Sequence, residues 1–240
     1  FTWQGITHEV GVRAKGSSTF RAINDKPSLK VKFNWSVPGG RFVGLESINL
    51  HNQTYDPAMM SEPLAYYVYT EAGLVAPRTG FVNVTINGAL QGYYSVITAK
   101  DDSFIEYWWE DSGGSLYESG SFNWPCDFNY DCSCFEHDEV GAADDISDLM
   151  DLCTAATSPP SQWITRMQEK LDWDQWLSQM AVDITIAHWD NYGWNLNNWH
   201  IYHEPTLDKW YFSPWSTDLA WGWVPWGSDW CGTYGNDPAE

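Results

Sequence analysis

Apolar and polar positions alternate through the first part of the chain, as a strand with one buried face requires. Val10, Val12 and Ala14 alternate with Gly11, Arg13 and Lys15, and a Gly-Ser-Ser-Thr run at 16–19 supplies a turn. From Lys26 the pattern is strict. Leu29, Val31 and Phe33 fall on one face, expected to meet a core, and Ser28, Lys30 and Lys32 fall on the other. Residues 9–36 are therefore predicted to be β structure. The period changes over residues 57–73, where Leu64, Tyr67, Val68 and Glu71 recur near helical spacing and Gly73 is a natural terminator. Residues 81–86 and 93–97 alternate again around Asn87-Gly88, the favoured two-residue hairpin turn, with the register past Gly88 left open. The first hundred residues read as a sheet with one helix.

From Asp101 the pattern turns helical, with expected helices over residues 104–110, 144–153 and 161–187. The last would carry Trp163, Met167, Leu171, Trp176, Met180 and Ile184 on a broad apolar face and deliver the chain to Asp190. Two short alternating runs, 199–202 and 209–212, flank a turn holding Pro205 and Asp208 and form a hairpin. No internal repeat or low-complexity linker divides the chain. Residues 1–240 are expected to be one domain, β-rich over 1–100 and mainly helical over 101–240.

Charge narrows the partners. Twelve basic against thirty-two acidic residues give a net charge of −20, which disfavours nucleic acid and anionic membrane surfaces and favours cations. No apolar run has the length of a membrane span. Phe1 begins inside folded-looking sequence without a signal peptide, as expected of a mature or trimmed fragment. Four of five cysteines, Cys126, Cys132, Cys134 and Cys153, share one acidic, insertion-like segment; Cys231 is the fifth. Local cross-links in an oxidising compartment are expected, in any of three pairings. Zinc on Cys132, Cys134 and His137 is the competing reading, disfavoured by the Cys-x-Cys spacing. Sequons at Asn34, Asn52 and Asn83 fit N-glycans on a secreted or cell-surface protein. Asp127, Asn129 and Asp131 resemble the opening of a structural Ca²⁺ loop, but Cys132 stands where that loop needs Gly. Of the seventeen tryptophans, many crowd the last third, either as core or as a stacking surface for sugars or bases.

Candidate chemistry sits around the second hairpin. Asp190 is followed five residues on by Asn195, then by Asn198, and Asp218 follows the hairpin. Carboxylate and amide oxygens suit Mg²⁺ held against phosphate oxygens, and kinases space a base Asp and a metal-binding Asn in this way. Asp and Asn are also ordinary turn residues. Lys26, Lys30 and Lys32 are a quarter of the positive charge, placed either to meet an anion such as phosphate or to solvate a strand face.

These pieces, in order, resemble the CotH (spore-coat protein H) kinases and, more distantly, the protein-kinase fold. The resemblance runs from about Val10 to Gly222. It rests on Lys15-Gly-Ser-Ser18, Lys26-Pro-Ser-Leu-Lys-Val-Lys-Phe33, Leu64-Ala-Tyr66, Gly73-Leu-Val-Ala-Pro77, and Ile86-Asn-Gly88 with Gly92-Tyr-Tyr94. Asp190-x-Tyr192-x-x-Asn195-x-x-Asn198 and Pro214-Trp-Ser-Thr-Asp218-x-x-x-Gly222 complete it. It implies an α+β, two-lobed atypical protein-kinase-like fold, with a β-rich N-lobe, a mainly helical C-lobe and ATP between them. By the resemblance, Lys30 or Lys26 would contact phosphates, and Asp190 would orient the acceptor hydroxyl or act as base. Asn195 or Asn198, with Asp218, would hold Mg²⁺. The chain departs from the family pattern at Ser216, where an Asp is usual, at Thr98, where an acid is usual, and at Ser17, where Asn is usual.

Three functions are consistent with this reading. The first is a secreted kinase acting on Ser/Thr of extracellular proteins. The second is a degenerate kinase-fold module in an extracellular glycoprotein assembly, motivated by Ser216 and Thr98. The third is a carbohydrate-binding or glycosidase domain, motivated by the tryptophans and acids.

Overall fold

The structure, a computed structural model, describes residues 1–119, 125–128, 132–138, 140–141 and 145–222. It is an α+β fold. Strands β1 (Thr2–Trp3) and β2 (Ile6–Thr7) form a small ribbon. The main sheet contains β3 (Gly11–Lys15), β4 (Ser28–Lys32), β5 (Ser47–His51), β6 (Thr79–Ile86) and β7 (Ala89–Thr98). Its spatial order is β3-β4-β5-β7-β6, antiparallel throughout. The alternation after Lys26 governs its packing, since Leu29, Val31 and Phe33 are buried with Ile48, Leu50 and Tyr94. Asn87 and Gly88, at φ of 50° and 81°, make the two-residue turn between β6 and β7. The pairing slips between Val84 and Thr85, which resolves the register that sequence left open.

Helix α1 (Ser61–Glu71) follows β5 and is shorter than predicted. Its packing face is also rotated from the expected one. Leu64 and Tyr67 are exposed, whereas Ala65, Tyr66 and Tyr69 are fully buried against Ile97 of β7 and against Ile186 and Ala220 near the end of the described chain. The helix is wedged between two parts of the fold, so the stripe that fits the wedge wins over the more apolar-looking one. It also buries Glu62, an acid that periodicity alone assigns to solvent.

Helix α2 (Asp102–Trp108) is capped by Asp101, whose carboxylate accepts from the Ser103 amide. Strands β8 (Leu116–Ser119) and β9 (Phe135–His137) follow, then helix α3 (Ser147–Ala156). The single helix expected over residues 161–187 is two, α4 (Pro160–Lys170) and α5 (Trp173–Thr185). The break lies where Leu171 bridges to Trp210, and Asp172 caps α5 by accepting from the Gln175 amide at 3.1 Å. A short α6 (Tyr192–Asn195) precedes the hairpin of β10 (Trp199–Glu204) and β11 (Lys209–Pro214), and a 3-10 turn, Thr217–Leu219, follows it.

Strands β8 and β9, which sequence did not reveal, join that hairpin in a second sheet of order β11-β10-β8-β9. Trp199 and Trp210 are buried in its core, Trp199 stacked on Phe212, with Leu149, Leu152 and Met167. These tryptophans are core residues and not a stacking surface. Among the described residues no helix is long and apolar enough to cross a membrane.

Disulfides join Cys126 to Cys134 and Cys132 to Cys153, which removes the thiolates that zinc on Cys132, Cys134 and His137 would need. His137 packs its ring edge-on against Tyr117. Asn129 and Asp131 of the Ca²⁺-loop reading, and Cys231, lie outside the described residues. Peptide mapping without reductant is expected to recover the 126–134 and 132–153 pairs; either of the other two pairings contradicts this topology.

Candidate functional site

A cavity of about 730 Å³ opens between the main sheet and the loops around the second hairpin. Its size suits a small-molecule ligand, for which about 300–1,000 Å³ is usual. Strands β3, β4 and β5 contribute Arg13, Lys15, Lys30 and His51; α1 contributes Glu62. Asp190, Asn198 and Asp218 face them from the loops.

Asp190 is held by its own loop. Asn191 caps α6, accepting from the Trp194 amide at 2.8 Å, and Leu196 and Asn198 take left-handed conformations at φ of 53° and 52°. The tight turn brings three amides onto one carboxylate. Asn195 Nδ2 donates to Asp190 Oδ1 at 2.5 Å, and Asn198 Nδ2 donates to Oδ2 at 2.5 Å. Asn197 Nδ2 reaches both oxygens, at 3.2 and 3.3 Å. With its amide nitrogen committed, the side-chain Oδ1 of Asn198 is the atom that could ligate a cation at the cavity wall. Beneath the loop, His188 is fully buried 3.7 Å from Asp183, which also accepts the Tyr69 hydroxyl of α1. On the outer side, the Cys126 amide donates to the Leu196 carbonyl at 2.9 Å and the Tyr192 hydroxyl donates to Asp127 at 3.0 Å.

Asp218 stands on the 3-10 turn after β11. The Ser216 hydroxyl donates to its Oδ1 at 3.0 Å, and the Thr217 hydroxyl donates to the Glu62 carbonyl, which ties the turn to α1. Loss of water around Asp218, reinforced by the charge of Glu62 and more weakly by Asp190, pushes its pKa up to about 7. Three carboxylates converging in a sheltered site form a cluster that a hard cation would stabilise, and carboxylate with amide oxygen is the donor set Mg²⁺ takes.

Opposite them runs a chain of hydrogen bonds. Lys15 Nζ lies 2.8 Å from His51 Nε2, and His51 Nδ1 lies 2.8 Å from Glu62 Oε2. Gln53 and Tyr66 donate to the same carboxylate. Burial acts to raise Glu62, but His51, Lys15 and the Gln53 amide outweigh it and hold the group below its ordinary range. Burial lowers His51, against the pull of Glu62. A neutral imidazole donating from Nδ1 to an ionised Glu62, and accepting from the Lys15 ammonium at Nε2, accounts for both contacts. Burial also lowers Lys15 to about 8, with Glu62 opposing, and its ammonium lies 4.8 Å from the Trp215 ring centroid.

Of the residues expected from sequence, Asp190, Asn198, Asp218 and Lys30 line this cavity. Asn195 sits behind Asp190 as a donor. Lys26 does not line the cavity; its ammonium lies 5.4 Å over the Tyr94 ring. Thr98 bonds the Arg78 carbonyl, and Ser216 bonds Asp218. Asn52 is buried, with its amide nitrogen donating to the carbonyls of Thr19 and Lys26, so the atom a glycan would take is enclosed in the fold. Asn34 is half-buried and bonded to Glu46, and Asn83 is exposed. Sequence reasoning did not single out Lys15, His51 or Glu62 for the site. Lys15 stood within a quoted motif, but an acid and a histidine eleven residues apart carry no pattern.

The raised Asp218 gives a signed expectation. A carboxyl whose folded value exceeds its ordinary 3.8 favours the protonated fold, so stability falls as pH rises from about 4 to about 7. Asp218→Asn removes that penalty. In cation-free buffer at pH 8, urea unfolding should show the variant more stable by about 2–4 kcal/mol. At pH 4 the two should coincide. A variant less stable at pH 8 contradicts the crowded-carboxylate picture.

Comparison with known proteins places the chain in a family. The chain is 22% identical over 190 residues to the inner spore coat protein H of Bacillus subtilis (strain 168), covering 75% of this chain and 51% of that protein. It thus spans about half the length of that curated relative. The family described as CotH kinase protein matches residues 12–233, nearly the whole sequence and every element lining the cavity. The chain belongs to the CotH kinase protein family.

Proposed function

We propose that this chain is a secreted or cell-surface kinase that transfers phosphate from Mg–ATP to Ser or Thr of an extracellular protein. The cavity would be the cleft of a two-lobed fold, and its approximately 730 Å³ would hold the nucleotide. One observation carries the reading: Asp190, clamped by three amides, and the crowded Asp218 face the Lys15–His51–Glu62 chain across one cavity.

Phosphoryl transfer asks a protein mainly for positioning and for neutralisation of phosphate charge. Kinases commonly anchor the phosphate-binding lysine directly on a helix glutamate. Here His51 stands between Lys15 and Glu62, so the imidazole fixes the direction of the ammonium. Lys15, with Arg13 on the same strand and Lys30 on the adjacent one, would meet phosphate oxygens. Asp218 and the side-chain Oδ1 of Asn198 would hold Mg²⁺, which when bound would supply positive charge to neutralise phosphates. The Asp190 carboxylate, fixed by amides on both oxygens, would orient the acceptor hydroxyl and take its proton.

The disulfides and the exposed sequon at Asn83 support the extracellular assignment. A second reading, a nucleotide-holding module without turnover, is favoured by Ser216, which supplies a hydroxyl where the family usually has a carboxylate.

Two substitutions separate these readings. Asp190→Asn should leave Mg–ATP affinity nearly unchanged and reduce phosphate transfer to a generic protein substrate by about 10²–10⁴-fold. Lys15→Met should instead weaken nucleotide binding. The measurements are calorimetric titration with Mg–ATP and transfer of labelled phosphate. Binding without transfer by the unsubstituted protein establishes the holding module, and absence of both excludes the kinase.

A further inference from the structure

We infer that Glu118, Asp138 and His200 form a second cation site in the same cavity, one that takes a first-row transition metal such as Zn²⁺ in place of Mg²⁺. Two of the three residues lie on adjacent strands and the third just past the end of a third strand. His200 on β10 lies directly across from Glu118 on β8, and Asp138 immediately follows β9 on the other side of β8. All three line the cavity, and one donor atom from each lies within 4.8 Å of the other two. Glu118 and His200, carried on paired strands, are held more firmly than donors on loops.

His200 gives the site its character. It is 3% exposed, and its Nδ1 is buried without a hydrogen-bond partner. Its Nε2 stands 3.6 Å from Asp138 and 3.9 Å from Glu118, beyond hydrogen-bond reach of either. The imidazole is turned with Nε2 between two carboxylates, the placement a nitrogen ligand needs to share a cation with them. Four-coordinate zinc, at about 2.0–2.2 Å from nitrogen and oxygen, separates its donors by about 3.4 Å. The observed spacing is a few tenths of an ångström wider on the two His200 pairs. Glu118, with more than a third of its side chain exposed, is free to close that gap.

The neighbouring charge permits a dication. Lys100 lies in the same wall, but its ammonium is directed at two carbonyls, Ser213 at 3.2 Å and Pro214 at 2.9 Å. Glu118 also acts on Lys15, so two lysines balance the two carboxylates, but burial lowers both lysines, and a dication would displace their protons. An imidazole nitrogen with two carboxylates suits zinc and its neighbours, whereas Mg²⁺ prefers oxygen alone. Three protein ligands leave a fourth position for a donor atom from whatever occupies the cavity, the arrangement of an open zinc site. This assignment stands apart from the kinase reading, because none of its ligands is Asp190, Asn198 or Asp218.

The test is a calorimetric titration of tag-free, oxidised protein with ZnCl₂ in millimolar Mg²⁺, with metal content of the dialysed protein measured in parallel. The expected result is one zinc per chain that Mg²⁺ does not displace. Glu118→Gln should weaken it by at least about tenfold, and His200→Gln likewise. Asp218→Asn should leave it unchanged. Because His200 is buried, Glu118→Gln decides if His200→Gln does not fold. No stoichiometric zinc on the unsubstituted protein overturns the site, as does zinc retained in Glu118→Gln or lost in Asp218→Asn.

Discussion

A carboxylate withdrawn from water must find its charge partners inside the protein, and Glu62 finds them on separate elements. His51 comes from β5, Lys15 reaches it through His51 from β3, and Gln53 comes from the loop between β5 and α1. The backbone carbonyl of Glu62 accepts from Thr217 on the turn that carries Asp218. Removing any one of these partners would leave a buried charge short of compensation, which is strongly unfavourable. The main sheet, α1 and the Asp218 turn are therefore fixed relative to one another by one side chain and its backbone. The cavity between them takes its shape from that constraint.

The two acids across from Glu62 are held in opposite ways. Asp190 is surrounded by amide donors, which satisfy a negative charge without neutralising it. Asp218 has one hydroxyl donor and two negative neighbours. The first arrangement suits a group that must stay anionic and stationary. The second suits a group whose charge is called for only when a cation is beside it. Two aspartates on successive loops of one hairpin thus differ in environment more than in position, and that difference separates their roles.

Sequence made much of this architecture legible where local chemistry decides it. The strict alternation at Leu29, Val31 and Phe33 fixes a buried sheet face, and Asn87-Gly88 fixes a hairpin. It was less informative where tertiary contacts decide. Leu171 continues the apolar period of the preceding helix, yet it leaves the helix to bridge Trp210, and Asp172 starts a new one. In retrospect Asp172 before Trp173-Asp174 is a capping signal. For the site, Asp190, Asn198 and Asp218 were legible because they flank one hairpin, within about thirty residues. Glu62 was not, because an acid in a helix ordinarily faces water. Lys26 was named because its strand alternates strictly, but it lies before β4, beside Tyr94. Glu118, His200 and, just past β9, Asp138 are brought together by strand pairing that only the fold reveals.

The cysteine-bearing segment has a consequence for the loop it touches. Cys126 belongs to the shorter of the two covalent rings, and its amide donates to Leu196, the left-handed residue about which the asparagine loop turns. Asp127, next in sequence, accepts the Tyr192 hydroxyl from the same loop. Closing a short ring removes alternatives from the chain before it folds, so these two acceptor and donor groups are presented to the loop already in place. The entropy of aligning three amides on Asp190 is thereby lowered by a bond made elsewhere. Oxidation of the cysteine-bearing segment becomes a means of stiffening the centre.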